Sequence, residues 1–139
     1  MAESSLVIVS NRGPAQFDRS STGERTVRRG GGGLVTALTG LVTHRDALWI
    51  ASAMTDEDVA VTRESGGAPT EVELDGTAYE VLMVESDPVA YEGFYNVIAN
   101  PILWFIQHYL WDLSNAPDIR REEADAWDHG YVTVNKDLA

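Results

Sequence analysis

Two short apolar runs, "SLVIVS" at residues 5–10 and "ALWIASA" at residues 47–53, set the narrowest limits on what this chain can fold into. Each is apolar on both faces and too short for a buried helix, the mark of a strand covered on two sides. Between them Leu34, Val35, Leu38, Leu41 and Val42 form a helical stripe that ends near His44. Strand, loop, helix and strand within about fifty residues make a βαβ unit, which implies a parallel sheet and a right-handed crossover. Residues 11–29, polar and punctuated by Gly13-Pro14 and Ser20-Ser21-Thr22-Gly23, read as a long loop.

Downstream, Thr55 followed by Asp58 has the form of a helix start, and residues 56–65 read as a short helix ended by Gly66-Gly67. In "TEVELDGTAYEVLMVE", Asp75-Gly76 between alternating runs signals a hairpin. Its second arm, Val81 to Val84, is apolar enough to join the main sheet. Asp87 is placed to cap a helix that Pro88 begins. Asn100-Pro101 repeats that pattern, so one helix is expected to stop there and another, "ILWFIQHYLWDL", to begin. Trp127, Tyr131, Val134 and Leu138, spaced i, i+4, i+7 and i+11, mark a terminal helix. The expected class is α/β with too few strands for a complete doubly wound sheet, since another strand would be expected after the last helix.

At 139 residues the chain has the size of one domain. No stretch approaches the roughly 20 apolar residues of a membrane span, and "MAESSLVIVSNR" lacks the basic start of a signal peptide. With no cysteine, disulfides and thiolate metal sites are excluded, and a cytoplasmic location fits. The net charge of −12 disfavours nucleic acid as a partner. Yet six of the ten basic residues (Arg12, Arg19, Arg25, Arg28, Arg29 and Arg45) lie in the first 45 positions. An acidic protein with one basic segment fits a local anion site, or equally a solvated loop.

That segment leads into "RRGGGGL", residues 28–34. In a βαβ unit the loop after the first strand meets the helix N-terminus at the carboxyl edge of the sheet, where free N–H groups favour an anion. Glycine there lets ligand oxygens approach the main chain. The wording matches neither the dinucleotide fingerprint nor a P-loop, so the run alone leaves a flexible joint and a phosphate cradle both open. His108 with Asp112, and Asp125 with His129, stand four apart, but two-residue pairs are poor metal sites without a third ligand. Trp49 reads as core.

Taken in order, "VIVSNRGP", "GGGGLVTAL", "LWI", "FYNVIANPILWFIQHY" and "AWDHGYVTVN" resemble the amino-terminal part of the trehalose-6-phosphate synthase family, retaining glycosyltransferases of family 20. The resemblance runs through essentially the whole chain. It implies a Rossmann-like, incomplete N-terminal domain of a GT-B enzyme, with a β-hairpin insertion and a helical C-terminal part. Residues 1–139 would then be the acceptor-side domain in part, with the nucleotide-sugar-binding domain outside this chain. The implied reaction moves glucose from a nucleotide sugar, UDP-glucose in most of the family, to glucose-6-phosphate, giving trehalose-6-phosphate. By the same resemblance Arg12 reaches the acceptor phosphate, Tyr95 and Trp104 line the acceptor site, and Gly32 and Gly33 face the donor diphosphate. No catalytic residue, metal or further cofactor is assigned to this stretch, and the oligomeric state is left open. His108 would help shape the acceptor pocket, while Arg19, Arg25, Arg28 and Arg29 either close over anionic ligands or are merely solvated.

The sequence departs from the family pattern in two places. Ser52 falls near the position of a second family tryptophan, and Pro101 with "WFIQHYLW" differs in wording. These keep alternatives in view: a relative with another acceptor, such as a glucosylglycerol-phosphate synthase or a pseudo-glycosyltransferase, or a truncated non-catalytic binding module. The chain alone is expected to be inactive.

Overall fold

The structure, a computed structural model, describes residues 6–42, 46–108 and 118–139. The predicted end of the first helix near His44, and the continuation of the helix from Pro101 past residue 108, fall outside them. The chain forms two compact units that divide between Glu85 and Ser86.

In the first unit the elements are β1 (Leu6–Ser10), β2 (Ala15–Arg19), β3 (Arg25–Arg29), α1 (Gly33–Val42), β4 (Ala47–Ser52), α2 (Asp56–Glu64), β5 (Thr70–Leu74) and β6 (Thr77–Val84). Among the described residues a four-stranded sheet runs in the order β1-β4-β6-β5. The first three strands are parallel, and β5 is antiparallel to β6. Register aligns Ile8 with Trp49 and Trp49 with Val81, so one layer of the core crosses the three parallel strands. Val35 and Val42 of α1, Val61 of α2 and Phe17 of β2 belong to the same buried cluster. The alternate residues Val7 and Val9 of β1 are 53% and 51% exposed.

Asp75 and Gly76 both have positive φ, the conformation of a two-residue hairpin turn, as their sequence predicts. The helix predicted at residue 56 starts there, with Thr55 and Asp58 forming a reciprocal capping box.

Residues 11–29 do not form the expected open loop. Most of them make the antiparallel hairpin β2–β3, turning at Gly23 with φ +85°. Ala15 and Phe17 of β2 enter the core, but Val27 is the one apolar residue of β3 and every residue of β3 is exposed. The other ties of the hairpin are polar. Arg19 Nε and Nη2 donate to Glu57 at 2.9 and 3.0 Å, Arg25 Nε donates to Glu57 at 2.6 Å, and Arg25 forms a two-pronged pair with Glu64 at 2.8 Å.

The second unit contains α3 (Pro88–Glu92), a wider π-wound stretch (Gly93–Trp104), α4 (Phe105–Gln107), α5 (Arg121–Ala126), a second π-wound stretch (Trp127–Tyr131) and α6 (Val132–Leu138). Asp87 caps α3 through the N–H groups of Val89 and Ala90, with Pro88 first in the helix. The helix does not stop at Asn100 as expected but runs through Pro101. In an α-helix that ring collides with the carbonyl one turn back, whereas i→i+5 winding moves the carbonyl away. Gly93 and Gly130 let two helical segments touch backbone to backbone. A Cβ at Gly130 would lie 2.8 Å from the Phe94 nitrogen and 2.9 Å from the Ala90 oxygen.

Glu57 and Glu64 are both held below the ordinary carboxylate range, chiefly by hydrogen bonds from Arg25. The folded chain therefore binds fewer protons than the unfolded chain as pH falls toward and below about 4.3. Stability from these pairs is present above that pH and lost as pH drops through the lower folded values. Thermal melts between pH 7 and pH 3 are expected to show a falling Tm at the acid end. An Arg25→Ala variant should show a shallower fall, and an unchanged slope would count against the clasp.

Candidate functional site

The carboxyl edge of the parallel strands carries the first part of the site. At the end of β1 the buried Trp49 indole N–H donates to Ser10 Oγ at 2.8 Å, and Ser10 Oγ donates to the Arg12 carbonyl at 2.7 Å. One residue earlier, the Asn11 carbonyl accepts from the Ser52 N–H at 3.2 Å. The main chain at residues 11 and 12 is thus held on both sides while the Arg12 side chain is exposed. Among the described residues no carboxylate pairs with Arg12. Its Nη1 lies 3.9 Å from the point a Cβ on Gly31 would occupy, so the guanidinium stands beside the glycine run.

The four glycines have different physical duties. Gly30 donates to the Pro14 carbonyl at 2.7 Å, and a Cβ there would overlap the Gly13 carbonyl oxygen. It closes the base of the β2–β3 hairpin and is not slack. Gly32 has φ +124°, a conformation that side chains oppose, and its carbonyl accepts the first helical bond of α1 from Thr36 at 3.1 Å. Having no side chain, Gly32 cannot itself cap the first N–H groups of α1. The helix opens at Gly33 with no acidic residue in its first turn. A helix start of this kind beside a guanidinium favours an anion.

The other arginines of the basic segment are committed elsewhere. Arg19 and Arg25 serve Glu57 and Glu64, Arg28 pairs with Asp18, and Arg29 lies 3.5 Å from Asp75. Their ion pairs fasten the hairpin, while the side chains of Arg19, Arg28 and Arg29 stay half exposed to solvent.

Tyr95 and Trp104 belong to the second unit and share one helical stretch. Tyr95 stacks on Tyr91 at 5.9 Å between ring centroids. Trp104, half exposed, stacks on His108 at 4.2 Å, and His108 Nδ1 lies 2.7 Å from the Trp104 carbonyl oxygen. Winding at about 3.6 residues per turn sets positions nine apart on opposite sides of a helix. Here the stretch from Gly93 to Trp104 is π-wound, and the buried residues Ala90, Phe94, Ile98 and Ile102 recur at every fourth position. Asp112 lies outside the described residues. Among those described, no three His, Cys, Asp or Glu side chains form a metal-binding group.

Trp49 lies in the core as read; sequence reasoning missed Ser10 and its bond to the Trp49 indole. Ser10 carried a signal only in hindsight, as a hydroxyl at the carboxyl end of a buried strand. Ser52, noted as a departure, is 3% exposed, and among the described residues its hydroxyl has no hydrogen-bond partner.

A guanidinium beside a glycine turn, at the start of a helix and the carboxyl edge of parallel strands, marks an α/β unit with the features of a candidate anion site. The chain belongs to glycosyltransferase family 20, whose sequence profile it matches over residues 4–139. A trehalose-6-phosphate synthase of Mycolicibacterium vanbaalenii is 35% identical over 137 residues, covering 96% of this chain and 25% of that protein. One from Mycolicibacterium smegmatis is 34% identical over 141 residues, covering 98% and 24%. A solved trehalose-6-phosphate synthase, OtsA, superposes with a TM-score of 0.54 at 23% identity over 94% of this chain and 24% of its own. The fold is accordingly an incomplete α/β domain of the GT-B kind. The chain spans about a quarter of the length of these relatives. Among the described residues no helix is long and apolar enough to cross a membrane.

Gly30→Ala is expected to destabilise the first unit by about 2 kcal/mol or more, because backbone oxygen cannot yield to a Cβ. Gly31→Ala, with only the flexible Arg12 head nearby, should cost under about 1 kcal/mol. Chemical denaturation of the two variants checks the difference, and equal losses would show that the hairpin base is not tight.

Proposed function

We propose that this chain is the acceptor-side part of a retaining glycosyltransferase that moves glucose from UDP-glucose to glucose-6-phosphate, forming trehalose-6-phosphate. The observation that carries the reading is the placement of the Arg12 guanidinium, which pairs with no carboxylate among the described residues, beside Gly31 at the start of α1. Family membership supplies the reaction class, and the relatives named above are trehalose-6-phosphate synthases.

In this reading Arg12 grips the phosphate of glucose-6-phosphate with its forked donors. Tyr95 and Trp104 offer ring faces to the C–H side of the sugar. Gly32 and Gly33 present backbone amides to the donor diphosphate, where the helix dipole offsets charge that grows as the glycosidic bond breaks. Catalysis is then mainly positioning and electrostatics, with no carboxylate nucleophile assigned among these residues. The remaining donor contacts belong to the domain outside this chain, so no turnover is expected from it alone. A cytoplasmic setting, where both sugar phosphates are available, goes with the reading and with the absence of cysteine.

A second reading, a relative with a different acceptor, is favoured by Ser52. A buried hydroxyl without a partner is costly unless something completes it, and a ligand oxygen would do so.

Calorimetric titration with glucose-6-phosphate, in parallel with glycerol-3-phosphate, tests both. Saturable binding of glucose-6-phosphate is expected, with Arg12→Ala weakening it by about 2 kcal/mol, roughly 30-fold in Kd. Binding indifferent to Arg12 would overturn the phosphate assignment, and preference for glycerol-3-phosphate would favour the second reading.

A further inference from the structure

We propose that the N-terminal cap of α2 is a positioning device for the anion site, acting through the β2–β3 hairpin. The proposal rests on the phosphate-binding role given to Arg12 above.

The hairpin occupies the connection between the two halves of the site, since Arg12 precedes it and the glycine run follows it. Phe17 in β2 turns its N–H and C=O away from β3, where a third strand would normally receive them. Instead Asp58 Oδ1 accepts the Phe17 N–H at 2.7 Å, and Thr55 Oγ1 donates to the Phe17 carbonyl at 2.6 Å. Asp58 is 1% exposed, and its Oδ2 also accepts the N–H groups of Met54 and Thr55 at 2.9 and 3.1 Å. Thr55 Oγ1 in turn accepts the Asp58 N–H at 3.0 Å. Two side chains that begin a helix therefore also act as the missing neighbour of a strand.

The nearby arginine clasp contributes less to this fixing, because its pairs are partly exposed and screened by salt. The cap bonds are buried, charge-assisted and directional. Without them residues 13–30 would be tethered through the Ala15 and Phe17 side chains and the clasp, while the main chain at residues 11 and 12 keeps its bonds to Ser10 and Ser52. The glycine run, and the Arg12 guanidinium beside it, would then have to be ordered when ligand arrives, which weakens binding without removing any ligand contact.

The test compares Thr55→Val, Thr55→Ser and Asp58→Asn by calorimetric titration with glucose-6-phosphate, at a temperature where circular dichroism shows each chain folded. Thr55→Ser keeps both bonds and should bind as the parent does. Thr55→Val and Asp58→Asn should each weaken binding about tenfold, on the scale at which groups in one network couple. In an Arg12→Ala background Thr55→Val should add less than about twofold, because the cap acts through Arg12. Parent-like binding by Thr55→Val, or losses that simply add to those of Arg12→Ala, would overturn the proposal and leave Thr55 and Asp58 as stabilising residues only. If Arg12→Ala itself changes nothing, the phosphate reading fails instead. Should Asp58→Asn not fold, Thr55→Val decides alone, since it removes one hydroxyl at constant volume.

Discussion

The buried hydrogen bond from the Trp49 indole to Ser10 joins the hydrophobic core of the first unit to its polar edge. Trp49 sits in the middle of the layer that Ile8 and Val81 complete, so its ring cannot move without disturbing three strands. The indole N–H needs an acceptor inside the protein. Ser10 supplies it, and the Ser10 proton then fixes the Arg12 carbonyl. Packing in the core is thereby converted into a defined starting point for the only arginine of the basic segment among the described residues that has no carboxylate partner. Everything proposed for the anion site depends on that conversion.

The hairpin solves a second problem with the same economy of parts. Its β3 strand buries nothing, so the hydrophobic effect cannot hold it. Paired charges and a helix cap fasten it instead, and Gly30 closes its base against Gly13. A segment that is polar in composition is thus ordered by hydrogen bonding to a neighbouring helix.

This explains which features were legible in the sequence. The parallel strands, the Thr55 capping box, the Asp75-Gly76 turn and the Asp87-Pro88 helix start all depend on local chemistry or short-range pattern and form as read, except that β1, expected to be covered on two sides, leaves Val7 and Val9 half exposed. The β2–β3 hairpin was missed because its strands lack apolar alternation and its partners, Glu57, Asp58 and Glu64, lie about forty residues away. The helix through Pro101 was missed because a proline normally ends α winding, and nothing in the local pattern announces π winding. At the site, Gly32 has a positive φ that side chains oppose, a need for glycine that the sequence alone did not locate. The structural need for glycine at position 30 was not legible, since the clash that requires it is with Gly13, far along the chain. The arginines were read as a patch, whereas their carboxylate partners disperse it.

The half-exposed valines of β1 have a consequence for handling the molecule. Among the described residues β1 pairs on one side only, with β4, and Val7 and Val9 project from its open face. A short apolar strand with a bare edge is a template for pairing with another chain. The run from Leu6 to Ser10 carries no charge and no proline to discourage such pairing. Self-association of this chain would therefore begin at its first strand and depend on protein concentration, and a lysine placed at Val7 or Val9 is the substitution that edge strands ordinarily use to prevent it.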